Sequence, residues 1–134
     1  MKTLVVEANV EHIDKVLDFV NTELQVHGFP TALVPDIDLA VEEIFVNIST
    51  YAYPLSGGDV TLHITVEREV ALQFVDTGIP FNPLEVPPPD LDKPLLERDI
   101  GGLGIHFVKQ VMDEAAYSYV DNRNILTLTK KGDA

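Results

Sequence analysis

The chain contains no cysteine, few basic residues and no long apolar run. Without cysteine there can be no disulfide, thiolate metal site or thiol nucleophile, and the absence is compatible with a reducing cytoplasm. Lysine and arginine number 9 against 22 acidic residues, a formal charge of −13. That balance argues against a direct nucleic-acid partner, because such binding is driven largely by cations displacing counterions. No stretch approaches the length of a bilayer span, and the opening MKTLVVEANVEH has too short an apolar run for a signal peptide. His12, His27, His63 and His106 are scattered without ligand spacing, so they are not read as a metal site. No serine stands in a hydrolase-like pattern of acid and base. What is present is 134 residues, 46% of them hydrophobic, which suits one packed domain over 1–134. If such an acidic domain binds a nucleotide, it must use local devices: helix N-termini, a metal or a few cations.

Residues 3–8, TLVVEA, read as a short strand, with Asn9 as a cap for a helix from Val10 to about His27 that Gly28 and Phe29-Pro30 end. A second helix is expected over Asp36–Tyr53, where Ile37, Val41, Ile44, Phe45, Ile48 and Ala52 recur at helical spacing. Pro35-Asp36 suits its first turn; Pro54 and Ser56-Gly57-Gly58 close it. Strand alternation follows over Val60–Val66 and Val70–Asp76, a hairpin. Residues 80–94 hold six of the nine prolines, which predicts an irregular segment of the kind that forms a lid or binding loop. Gly101-Gly102-Leu103-Gly104 then reads as a turn that opens a third helix, and AYSYVD with NILTLTKK forms a closing hairpin. The order predicts an α+β two-layer sandwich: a mixed, mostly antiparallel sheet with three helices on one face.

Three signals stand out within this frame. On the second helix, Glu43 and Asn47 lie one turn apart on a border of the apolar face, aimed along the edge of whatever the helix packs on. Asp76 sits at the tip of an apolar strand and is followed by Thr77-Gly78. The glycine cluster opens a helix, where free N–H groups and the helix dipole favour an anion. Each signal alone is ordinary boundary or turn chemistry; together, with a lid between the last two, they describe a site.

Taken jointly, LAVEEIFVNISTYAY, VDTGIPFNP and GGLGIHFVKQVMD resemble the N box and the two glycine boxes of the GHKL ATPase superfamily. Within it, the chain is most similar to small bacterial anti-sigma factors that are serine/threonine protein kinases, and DNRNILTLTKK resembles the end of those kinases. The resemblance implies a Bergerat-type ATP-binding fold with an ATP lid over about 77–100, ATP and Mg2+ as cofactors, and a cytoplasmic regulator of transcription. It implies that Asn47 coordinates Mg2+ through its carbonyl oxygen and that Glu43 is the general base for a substrate hydroxyl. Asp76 would accept a hydrogen bond from the adenine amine, selecting ATP over GTP. Gly78 would let the backbone approach the ring, and Gly102 and Gly104, helped by Gly101 and Leu103, would cradle phosphate. The implied partners are a sigma factor and an anti-anti-sigma (STAS-type) protein, with no membrane; a homodimer is compatible with this.

Arg98 and Lys93 are the cations in or near the lid, and Arg98 could neutralise the terminal phosphate. Thr50, Tyr51 and Tyr53 are expected in core packing before pocket lining. Two other readings stand beside the kinase: a non-catalytic ATP-binding module that regulates a partner by sequestration, and an ATP domain detached from a histidine kinase. The compact length and the lack of a helical phosphoacceptor segment argue against the last.

Overall fold

A computed structural model of the chain describes residues 1–54, 57–85 and 100–132. Its elements are β1 (Lys2–Glu7), α1 (Ile13–Val26), α2 (Val34–Tyr51), β2 (Asp59–Val66), β3 (Glu69–Asp76), α3 (Ile100–Val111), β4 (Glu114–Val120) and β5 (Arg123–Lys131). The sheet order is β1-β2-β3-β5-β4. Every neighbouring pair is antiparallel, so the sheet is not mixed. Because the long path from β3 to β5 returns through α3 and β4, β5 enters beside β3 and places Asn124 opposite Asp76.

The strand alternation has a physical cause that the burial pattern makes plain. In β2, β3 and β5 every second residue is buried, so one face of the sheet carries the helices and the other faces outward. Leu62, Ile64, Leu72, Phe74 and Leu128 meet Val16, Val20 and Leu24 of α1, Ile37, Val41, Ile44 and Phe45 of α2, and Ile105 and Val108 of α3 in one core. The two-residue turn between β4 and β5 has positive φ at both Asp121 and Asn122. That is the mirror-image turn whose twist matches a hairpin, and asparagine and aspartate tolerate it.

Helix ends follow local chemistry. Asn9 caps a short 3-10 turn, accepting from the Glu11 N–H at 2.9 Å, and α1 begins three residues later than the expected start. It ends on a Schellman arrangement: Gly28 takes φ +67°, its N–H donates to Gln25, and the Phe29 N–H donates to Leu24 at 2.9 Å. The second helix starts at Val34, two residues before the expected Asp36, because Pro35 occupies its first turn, where no N–H is needed. The glycine cluster is helical: Gly101–Gly104 lie in α3 rather than in a turn before it. Residues 77–85 are held to the body by bonds given below, and the remainder of the expected lid, with Lys93 and Arg98, lies outside the described residues.

Candidate functional site

A cavity of about 390 Å³ opens between α2, the end of β3, the segment 79–83 and the β4–β5 hairpin. Its walls include Asn47, Ile48 and Tyr51 of α2, Phe74 and Asp76 of β3, Ile79, Pro80 and Phe81 beyond it, and Tyr117, Asn124 and Leu126 of the hairpin. Mostly apolar walls with a few convergent polar groups are the make-up of a small-molecule site. The volume falls within the range of ligand clefts, about 300–1,000 Å³.

Of the residues singled out in the sequence, Asn47 and Asp76 share this cavity. Asp76 is only 6% exposed. Its Oδ1 accepts from the Gly78 N–H and from the Asn124 side-chain amide, both at 2.9 Å. Neither bond uses Oδ2. Glu43, one helical turn before Asn47, is outside the cavity wall and faces α3. A Cβ at Gly104 would lie 2.9 Å from Glu43 Cδ and closer still to Oε2, so the bare glycine is what lets the carboxylate sit against that helix. Burial first, and then the neighbouring Glu42, pushes the Glu43 carboxyl above its ordinary value. Gly101, Gly102 and Leu103 share the first turn of α3, whose opening N–H groups have no partner within the helix.

Gly78 is a point of close packing. A Cβ there would come within 2.6 Å of Ala52 Cβ and closer still to the Ala52 carbonyl oxygen, and Ala52 is itself part of the cavity wall. That same carbonyl accepts the Ile79 N–H at 2.9 Å, so the chain leaves β3 pressed against the end of α2. The tyrosines also depart from core packing. Tyr51 lines the cavity and is mostly exposed, whereas the Tyr53 hydroxyl donates to the Asp59 carbonyl at 2.7 Å and accepts the Thr77 N–H at 2.8 Å. Thr50 turns back on its own helix, donating to Val46.

Asn124 and Tyr117 were not singled out from the sequence. Asn124 is buried, and its amide also donates to the carbonyls of Gly78 and Ile79, at 3.3 and 3.1 Å. Its carbonyl accepts the Phe81 N–H at 3.2 Å and the Tyr117 hydroxyl. Burial raises the Tyr117 phenol above its ordinary value. The signal was available: among the inward positions of β5, which Leu126, Leu128 and Lys130 also occupy, Asn124 is the one uncharged polar residue, level with Asp76.

Helices on one face of an antiparallel sheet, with a helix asparagine and a strand-end aspartate walling one cavity, define a nucleotide-binding domain of the histidine-kinase-like type. The family model for the histidine kinase-like ATPase domain matches residues 6–130, and the chain belongs to that family. It is 30% identical over 96 residues to the serine/threonine-protein kinase BtrW of Bordetella bronchiseptica, covering 69% of this chain and 67% of that one. It is 26% identical over 104 residues to the serine-protein kinase RsbW of Bacillus mycoides, covering 74% of this chain and 65% of that one. The chain thus spans about two thirds of the length of these relatives. In fold it is similar to a Mycobacterium tuberculosis chain carrying RsbU and RsbW domains, with a TM-score of 0.63 and 17% identity, over 98% of this chain and 32% of that one.

Proposed function

We propose that the chain is an ATP-dependent serine/threonine protein kinase of the anti-sigma type. On this reading it binds a sigma factor and phosphorylates a hydroxyl of a STAS-type anti-anti-sigma protein. The observation that carries it is the alignment along α2: Asn47 walls the cavity that Asp76 closes, and Glu43 stands one turn further along, against the first turns of α3.

Asp76 accepts the 6-amino group of adenine, where guanine would present a carbonyl and leave the buried carboxylate facing another acceptor. Phe74, Ile48 and Leu126 give the ring apolar contact. The opening N–H groups of α3, at Gly101, Gly102 and Leu103, meet the phosphates, a local device that works against the overall charge of −13. Among the described residues no group of three or more His, Cys, Asp or Glu could hold a metal alone. The donor set therefore fits a hard cation that arrives with phosphate oxygens and needs one protein oxygen, that of Asn47. Bound there, Mg2+ would offset charge on the phosphates.

Glu43 takes the proton of the incoming serine or threonine hydroxyl. The hydroxyl oxygen bonds to the terminal phosphorus, the bond from that phosphorus to the bridging oxygen breaks, and ADP leaves. A carboxyl whose proton affinity is raised by burial is a stronger base once ionised. The position of Glu43 outside the cavity wall favours a second reading, an ATP-binding module that acts by sequestration without transfer. Incubation with labelled ATP and the cognate antagonist separates them. The kinase reading expects labelled antagonist and its loss in Glu43→Gln; nucleotide binding without transfer to the antagonist favours the module.

A further inference from the structure

The buried amide of Asn124 joins two parts of the site that the sequence treats as separate. Its nitrogen holds Asp76 Oδ1 at 2.9 Å and reaches the carbonyls of Gly78 and Ile79; its oxygen takes the Phe81 N–H and the Tyr117 hydroxyl. One side chain therefore serves five partners with two N–H groups and one carbonyl oxygen, its N–H groups being shared among three acceptors; one partner is the cavity carboxylate and three are backbone groups of residues 78–81. The orientation of the amide is determined by these partners. Flipped, its carbonyl would face a carboxylate and two backbone carbonyls, and its nitrogen would face an N–H donor.

Asp76 has no other side-chain partner among the described residues besides Asn124; its second bond is the Gly78 N–H, two residues along its own chain. With the Gly78 bond alone, the carboxylate could turn about the Cα–Cβ and Cβ–Cγ bonds while keeping one short local contact. The amide from β5 removes that freedom by approaching the same oxygen from the neighbouring strand, and it leaves Oδ2 as the oxygen these bonds do not occupy. Because Ile79, Pro80 and Phe81 are themselves cavity walls, the bonds that orient the carboxylate also set the wall next to it.

We propose that Asn124 is a positioning residue for nucleobase discrimination: it orients Asp76 and, through the same amide, ties residues 78–81 into the cavity wall, with Tyr117 holding the amide in register. This deepens the ATP-site reading and rests on it. The role makes a demand that general structural support does not. Loss of Asn124 must weaken binding of a 6-amino purine more than binding of the same nucleotide without that amine.

The test is calorimetric titration of Mg2+-ATP and of Mg2+-purine riboside triphosphate, which lacks the 6-amino group, into wild type, Asn124→Ala, Tyr117→Phe and Asp76→Asn. Wild type is expected to favour ATP by about tenfold or more, the size of one hydrogen bond to a charged group. In Asn124→Ala the preference is expected to fall most of the way to one. In the double variant with Asp76→Asn the preference should fall no further than in Asp76→Asn alone, because both act on one contact. Should Asn124→Ala not fold, Tyr117→Phe keeps the ring and removes one bond, and its preference should drop about threefold. Equal weakening of both nucleotides, with the preference intact in the folded variants, overturns the positioning role while leaving the ATP site standing. Failure of wild type to bind either nucleotide overturns both.

Discussion

With Glu43 as the proposed base, catalysis and stability pull in opposite directions at this residue. Its carboxyl is held above the ordinary value by burial and by Glu42, so the native state binds its proton more tightly than the unfolded chain does. The stability contributed by the protonated form is therefore present at low pH and is lost as pH rises through the raised value. Ionised Glu43 is a cost at neutral pH, and Glu43→Gln should raise the thermal midpoint while lowering phosphotransfer by about 10²–10⁴-fold. A midpoint that falls in this variant contradicts the account. As a base, Glu43 must be ionised, so the acid limb of kcat/KM should lie at higher pH than for an unperturbed glutamate; a limb in the ordinary carboxylate range would mean that another group sets it. Gly104→Ala tests the neighbouring contact. The added methyl must displace the end of the Glu43 side chain, which is free to move, so transfer should fall at least tenfold, with stability changed by about 1 kcal/mol or less. Equal loss of both would assign Gly104 to packing alone.

At the level of elements, the exit from β3 is held by bonds from four sides. Tyr53 ties Thr77, the Ala52 carbonyl takes Ile79, Asn124 ties residues 78–81, and the Lys109 ammonium donates to the Leu84 carbonyl. Residues 77–85 are thus tied to the body, and Ile79, Pro80, Phe81 and Pro83 among them line the cavity. Gly78→Ala would press a methyl on the backbone of α2, which cannot swing aside, and should destabilise by about 1–3 kcal/mol; denaturant unfolding measures it, and an unchanged midpoint would refute the close approach. The strands and the two long helices were legible because period-2 and helical alternation reflect a sheet covered on one face. The glycine roles were not. Glycine next to an aspartate reads equally as an approach to a ligand or to a helix, and only the fold brings Ala52 against Gly78. The cluster at 101–104 reads as a turn because glycine disfavours helix, yet the contact of Gly104 with Glu43 requires that the helix already be formed there.

For the whole molecule, the order of elements was readable and the sheet order was not. Nothing local says that β5 inserts between β3 and β4, and this is what puts Asn124 beside Asp76. The same insertion creates a clasp at the other end of β5, where the largely buried Lys130 ammonium donates to the Val111 carbonyl and pairs with the half-exposed Asp36 at 3.5 Å. It joins the end of α3 to the start of α2, the two helices that carry the glycine cluster and Glu43. Lys130→Met keeps the buried stem and removes the charge. It should cost about 1–2 kcal/mol, and transfer should fall through displaced helices even at temperatures where the variant is fully folded. Wild-type transfer at such temperatures would confine the clasp to stability.

On the proposed reading, one cavity, closed by Asp76 and flanked by Asn47, binds adenine nucleotide. The measurement that meets it most directly is the thermal midpoint with Mg2+-ATP and with Mg2+-GTP, for wild type and Asp76→Asn. A ligand present at a hundred times its Kd stabilises the native state by about 2.7 kcal/mol, which for 134 residues is a rise of several degrees. That rise is expected with ATP, a much smaller one with GTP, and loss of the difference in Asp76→Asn. Equal rises with both nucleotides in wild type, or none with either, would contradict that reading.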